Sequence, residues 1–243
     1  MTKRTRSQRG TAQEWEELGK RDPLWAVASH PGRRRSDPNT WVEKTFLETG
    51  EREVDLIKKL LGYSAFTSKT IVEVGCGAGR LTRAFAARGA RVIGIDISTS
   101  MLAVARKHTV DCTAPVLFVK ANGHDLGMLD AGSCDIAVSW HVFQHIPNAD
   151  VVMSLLEEIH RVLRRGGSAC IHIPQRSGRN IRWRLYKAFQ HIGIALDPVG
   201  IASAIPMLGI RKEIVLRRCR SIGFHHIDAI EKDLGATYYV LRK

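Results

Sequence analysis

The chain of 243 residues has no run of some twenty apolar residues, the length a membrane-crossing helix requires, so no span is expected. Its start, Met1 to Ser7, is basic but lacks the apolar core of a secretory signal, and a cytoplasmic location follows as the expectation. Cysteine is sparse. Cys76, Cys112, Cys134, Cys170 and Cys219 are odd in number, far apart and free of any C-x-x-C pair. That spacing argues against a disulfide framework or a zinc site and for reduced, packed thiols. Acidic residues are also in deficit, 24 against 37 lysines and arginines, for a formal net charge of +13. Such a charge attracts nucleic acid, anionic lipid or an acidic small substrate without choosing among them, and it serves plain solubility equally well. No internal repeat is visible.

What is present suits one domain with a good core and an appended element. The chain is organised around Thr70 to Leu81. Ile71, Val72 and Val74 are too few and too β-branched for a helix and predict a buried strand. Gly75, Gly77 and Gly79 follow on alternate positions. Ala78 to Arg88 then has helical spacing, with Leu81 and Phe85 on one face and Gly89 as a stop. Strand, glycine turn and helix together let a ligand approach the backbone and meet the free N–H groups of a helix start. Glu73 stands inside the apolar strand, where a carboxylate is costly unless partnered. A dinucleotide fingerprint needs G-x-G-x-x-G, and Gly79 comes one position too early for it. A second strand, Arg91 to Asp96, ends in an acid that a doubly wound sheet can use on ribose hydroxyls.

The E-x-G-x-G-x-G pattern followed by a strand ending in Asp resembles the class I S-adenosylmethionine-dependent methyltransferases of small-molecule type, over about Val54 to Lys243. The resemblance implies an α/β, Rossmann-like three-layer sandwich. Its sheet has seven mostly parallel strands with the last antiparallel, plus N-terminal helices and a helical insertion after the fifth strand. It implies residues 1–50 as a helical lid with a disordered basic start, residues 51–243 as the methyltransferase core, and a cap at about 175–207. The cofactor is then S-adenosyl-L-methionine and the product S-adenosyl-L-homocysteine. By the same resemblance Gly75, Cys76, Gly77, Gly79, Arg80 and Leu81 form the loop around the methionine part, and Glu73 takes its amino group. Asp96 takes the ribose hydroxyls, Ile97 packs on the adenine, and Met101 lies on the following helix. Asn122 and Gly123 read the adenine, with Asp125 as an alternative reader. Trp140 and His141, after the fourth strand, border the reacting methyl.

The rest of the chain is read in the same way. Asp22-Pro23 and Asp37-Pro38 are helix starts, and Gly50 breaks the helix that contains Trp41 and Phe46. Trp15, Trp25 and Trp41 form an aromatic wall for the lid or a cover for the sheet edge. Arg33, Arg34 and Arg35 are read as a solvated loop. Val116–Val119, Cys134–Ser139, Ala169–Ile173, His226–Ile230 and Thr237–Leu241 are further strands. A helix from about Ala149 to Arg165 is closed by the basic pair Arg164-Arg165 and Gly166-Gly167. Ile181 to Phe189, a basic amphipathic stretch, is read as part of a cap, with a membrane-surface helix or a nucleic-acid patch as alternatives.

His141 and His145 are the candidate general bases, because imidazole titrates near neutrality and the segment lies at the carboxyl ends of the strands. A structural role competes strongly at His145, His172 is read as buried structure, and His124 is read as flanking the adenine. The position after the fourth strand reads Ser139-Trp140-His141-Val142, not the N/D-P-P-Y/F tetrad of enzymes that methylate amino groups of bases or glutamine. A Pro-Cys pair for a cysteine nucleophile is also missing. An oxygen or nitrogen of a small acceptor is therefore favoured over carbon, and the net charge allows that acceptor to be anionic. An RNA methyltransferase, a non-catalytic cofactor-binding protein and an NAD-dependent oxidoreductase stand as alternatives.

Overall fold

A computed structural model describes residues 6–28, 42–175, 209–231 and 236–243. Trp41, the arginines at 33–35 and most of the expected cap lie outside the described residues. The elements run α1 (Arg6–Arg21), α2 (Pro23–Val27), α3 (Glu43–Leu61), β1 (Thr70–Val74), α4 (Arg80–Ala87), β2 (Arg91–Asp96), α5 (Thr99–His108), β3 (Val116–Lys120), β4 (Cys134–Ser139), α6 (Ala149–Val162), β5 (Leu163–Pro174), α7 (Lys212–Ile222), β6 (His226–Glu231) and β7 (Ala236–Arg242). A short 3-10 turn, Phe143–His145, sits between β4 and α6.

The seven strands form one sheet in the order β3-β2-β1-β4-β5-β7-β6. β1 to β5 are parallel, and β7 is antiparallel to both of its neighbours. The chain reverses order between β1 and β4, and ligands of such sheets bind at that crevice. Strand alternation sorts the apolar residues into two layers. Val72, Val74, Ile95, Ala137 and Ile171 pack toward α6 and α7, with Leu155, Leu156, Ile159 and Val215. Ile71, Val92, Ile136, Val138 and Cys170 pack toward α3 and α4, with Val54, Ile57, Leu81 and Phe85. Asp135 ties the amino ends of the strands together. It accepts the Thr70 N–H at 2.8 Å and pairs with Lys69 and Arg164.

Two expectations from the sequence are corrected. Gly50 does not break a helix, since α3 runs through it from Glu43 to Leu61. Its missing side chain serves packing instead: a Cβ there would lie 2.3 Å from the Arg80 carbonyl oxygen at the start of α4. A boundary at residue 50 therefore falls inside a helix whose later turns hold core residues Val54, Ile57 and Leu61. The second correction is at Arg164 to Gly167, which are not a helix end. α6 stops at Val162 because Leu163 is already extended, and its side chain is buried against the sheet. The register with β4 jumps between the pairs Cys134–Leu163 and Ile136–Ser168, so the basic and glycine residues form a bulge. Gly166, at φ +74°, donates its N–H to the Lys243 carbonyl there.

Glycine to alanine inside a helix ordinarily stabilises by up to about 1 kcal/mol. Gly50→Ala reverses that sign, because the added methyl drives α3 off α4, and overpacking of this kind costs about 1–3 kcal/mol. Urea denaturation of the two proteins measures the difference, and a more stable variant would contradict the packing.

Candidate functional site

The loop Gly75–Gly79 leaves β1 and turns under three neighbouring segments. Its first two N–H groups, from Gly75 and Cys76, donate to the Ile95 carbonyl at 2.7 and 3.0 Å. The next, from Gly77, donates to Asp96 Oδ2 at 2.9 Å, while Asp96 Oδ1 accepts the Ser98 N–H at 2.8 Å. The acid that ends β2 thus fixes both the glycine loop and the start of α5. Burial pushes its carboxyl up from the ordinary range, and these N–H donors oppose that shift. Gly77 has φ +51°, and a Cβ on it would meet Val27 of α2 at 2.7 Å. Any larger residue would both strain the turn and push α2 away.

These residues border one cavity of about 460 Å³ at the carboxyl ends of the strands. Glu73, Gly75, Cys76, Gly77, Arg80, Leu81, Asp96, Ile97, Asn122, Gly123, Trp140, His141 and His145 all line it. Gly79 and Met101, two of the residues expected at the cofactor, do not line it. A Cβ on Gly79 would fall 2.8 Å from Ala105 Cβ, so this glycine exists for the close approach of α5. Met101 is fully buried with Phe46 and Ala78 beneath the loop. Both positions carry loop-to-helix packing, which spacing alone does not separate from ligand contact.

On the α6 side, Asn122 Oδ1 accepts the N–H groups of His124 and Asp125 at 2.8 and 3.2 Å, and its amide nitrogen donates to Asp125 Oδ2. The oxygen that the family pattern assigns to adenine is thus engaged in the loop's own turn. Arg161 and Glu158 of α6 grip the same loop. Arg161 donates to the Leu126 and Leu129 carbonyls, and Glu158 accepts the Leu126 N–H at 2.9 Å. Gly123 and Ile97 face each other, a Cβ on the glycine lying 3.2 Å from Ile97 Cγ2.

Trp15 and Trp25, read from the sequence as a wall of the lid, line the cavity, and several other lining residues carry no local signal. Glu53 reads as one more charge on an amphipathic helix. It enters the site because α3 packs on α4, where Glu53 Oε2 lies 2.5 Å from Arg80 Nη1. Thr11, Ala12, Trp15 and Leu18 from α1 and Trp25 to Ala28 from α2 close the cavity from above. Glu16 anchors α1: its carboxylate accepts Ser98 Oγ at 3.0 Å, Ser100 Oγ at 2.6 Å and the Ser100 N–H at 3.3 Å. These donors hold it down at about 2, the Ser100 hydroxyl being the largest influence.

The three histidines near the cavity are all electrically neutral at physiological pH. Burial pushes His141 down to about 3, assisted by His172, Arg80 and His145. Burial also takes His145 and His172 to about 4. His141 has φ +59°, rare for a residue with a side chain, and its ring lies 4.5 Å from that of His172 and Nε2 4.0 Å from Glu53 Oε1. The strained conformation is kept because Val142, next in the chain, is wedged against the Cα of Gly75, where a Cβ would come within 2.4 Å. His145 instead contacts Gln144 Nε2 at 3.0 Å and Trp15 edge-to-face. His172 is buried and does not line the cavity.

Comparison with known proteins agrees with this geometry. Residues 72–171 match the family model described as a methyltransferase domain. A ubiquinone biosynthesis O-methyltransferase from Pseudomonas paraeruginosa is 30% identical over 114 residues, 47% of this chain and 48% of that protein. One from Nitrosomonas europaea is 30% identical over 131 residues, 54% of this chain and 53% of that protein. The chain thus spans about half the length of the curated relatives it matches. Among solved structures, magnesium protoporphyrin IX methyltransferase from Synechocystis with bound SAH superposes with a TM-score of 0.67 at 15% identity, covering 98% of this chain and all of that one. Gly75 to Gly79, Asp96 and strands β2 to β4 lie in the matched part, which also takes in most of β1 and β5. Residues 72–171 thus resemble a methyltransferase domain, and the chain has the fold of these solved methyltransferases.

Proposed function

We propose that this protein moves a methyl group from S-adenosylmethionine to an oxygen or nitrogen of an uncharged small-molecule acceptor. One observation carries the reading: one cavity joins the glycine loop and Asp96 to the segment Trp140–His145. The cofactor, when bound, supplies a methyl on a sulfonium, and the chain's task is to bind, orient and exclude water. The glycine loop, whose Gly75, Cys76 and Gly77 line the cavity, suits the methionine part of the cofactor. Asp96 keeps lone pairs for the ribose hydroxyls beyond the two N–H groups it accepts. Ile97 and Gly123 line the part of the cavity we assign to the adenine. α1 and α2 act as the lid, with Glu16 as its fastening on α5.

The acceptor's charge follows from the lining. Arg80 is the guanidinium among the described lining residues, and it is paired with Glu53. The neighbouring histidines are neutral. The pairing of Arg80 disfavours an anionic acceptor, whereas the rings of Trp15, Trp25 and Trp140 offer apolar contact to an uncharged one. The ubiquinone O-methyltransferases that match over half their length favour oxygen as the acceptor atom. His141 accepts the acceptor's proton where that atom starts protonated.

Four outcomes check this reading. Calorimetric titration with S-adenosylmethionine should show binding that Asp96→Ala weakens about tenfold to a hundredfold, the worth of charge-assisted hydrogen bonds. Unchanged affinity would remove Asp96 from the ribose. Glu16→Ala should raise the dissociation rate of S-adenosylhomocysteine about threefold to tenfold in stopped flow, since it frees the lid from α5. An unaltered rate would leave α1 a merely structural helix. With a working acceptor and saturating cofactor, His141→Asn, which tolerates the positive φ, should cut turnover about a hundredfold or more. Because the base form of His141 is lost only as pH falls through about 3, wild-type turnover should show no histidine limb between pH 5 and 8. A limb near pH 6.5 that vanishes in His141→Asn would contradict the neutral, buried imidazole.

A further inference from the structure

Glu73 occupies an unusual place for a carboxyl. It lies in the middle of β1, the strand flanked by β2 and β4, opposite Gly94 on one side and Val138 on the other. Its side chain is buried, 3% exposed, yet it reaches the wall of the cavity. One hydrogen bond serves it, from Thr82 Oγ1 of α4 to Oε2 at 2.5 Å. That donor is neutral. The nearest cation, Arg80 of α4, is held by Glu53 of α3. Two other ionisable groups raise the cost of a negative charge, Asp96 at the end of β2 and Glu53 itself, while the buried Cys76 thiol of the glycine loop stays neutral and supplies no countercharge. The histidines nearby are neutral and supply no countercharge. A carboxylate in such a place has lost its water without gaining a cation, and the neutral acid is the favoured form.

We propose that Glu73 is a proton-exchanging carboxyl that selects the cofactor by charge: it is the neutral acid in the free protein and gives up its proton when the cofactor's ammonium group enters. The inference rests on the cofactor reading above and adds to it a chemical event at one named atom pair. The O–H bond of the acid breaks, the proton leaves to solvent, and the carboxylate left behind is compensated by the arriving ammonium. Burial holds the carboxyl up at about 8, with the Thr82 hydroxyl and Arg80 pulling the other way and Asp96 and Glu53 adding to the rise. Below that pH the free site carries the proton, so cationic ligands bind with proton release. Ligands without an amino group meet an uncharged wall and release nothing. The site thereby distinguishes S-adenosylmethionine and S-adenosylhomocysteine from adenosine derivatives that lack the amino acid part.

The test is isothermal titration at pH 6.5 in buffers of different ionisation enthalpy, using S-adenosylmethionine, S-adenosylhomocysteine and methylthioadenosine. At that pH a cofactor amino group is already protonated, so the protein is the source of any released proton. Wild-type protein should release about one proton with each of the first two ligands and about none with the third, as expected at pH 6.5 for an acid titrating near 8. Glu73→Gln should bind with release lost and with weaker discrimination against methylthioadenosine. Infrared difference spectra of the wild type give a second readout that needs no variant: the carbonyl stretch of a protonated carboxylic acid should disappear on adding S-adenosylhomocysteine. Binding without proton release and without that band would overturn the inference and leave the cofactor assignment standing. Equal release from methylthioadenosine would overturn the ammonium as its cause. Failure of the wild type to bind either amino-acid-bearing ligand would overturn both readings together.

Discussion

The site depends on the Asp96 carboxylate and the two backbone N–H groups it accepts, from Gly77 and Ser98. Through them one buried acid holds the glycine loop, the end of β2 and the first turn of α5 in fixed relation. Ser98 passes the connection outward. Its hydroxyl accepts the Met101 N–H as a helix cap and donates to Glu16 on α1. The covering helices are thereby joined to the acid at the floor of the cavity through one serine. Most of the remaining order serves this node. Gly79 and Gly50 let α5 and α3 come close enough to support the loop, and Val27 of α2 closes over Gly77.

The electrostatics of the cavity follow from where its charges are placed. Acids outnumber free cations: Glu53, Glu73, Asp96 and Asp125 line it, while Arg80 is paired. The three histidines are forced neutral by burial. A strongly basic chain thus encloses an acid-lined ligand site. That arrangement suits a ligand bearing positive charge, as a sulfonium with an ammonium does, and it separates the attraction of the outer surface from the selectivity of the interior. The surplus of lysine and arginine that the composition shows is spent elsewhere in the chain, partly in surface pairs such as Arg83–Asp111 and Arg88–Asp55.

Much of this was legible along the chain, because the signals are local. β1, the glycine loop and β2 with its terminal acid are contiguous patterns whose spacing follows from strand and helix geometry. The seven strands and their order of direction were foreseen as well. The misreadings share one cause. Gly50 looks like a helix breaker, and Arg164 to Gly167 look like a helix end, because glycine has the same local meaning in both settings. What glycine does at 50 is set by the Arg80 carbonyl, thirty residues away, and what the bulge does is set by pairing with β4 and with the chain end.

Sequence by itself determined the fold class, the strand–loop–helix unit and, among the candidate site residues, Glu73, Asp96, His141 and His145, which line the cavity, since these depend on periodicity and on residue types at short spacing. Only the tertiary structure decided that Gly79 and Met101 pack rather than line the cavity, that Glu53 and Glu16 join the site, and that Glu73 has a hydroxyl and no free cation beside it. Those facts depend on which helices meet across the sheet. Burial and the sign of the nearest charge are properties of that meeting, and they fix whether a carboxyl or an imidazole carries its proton.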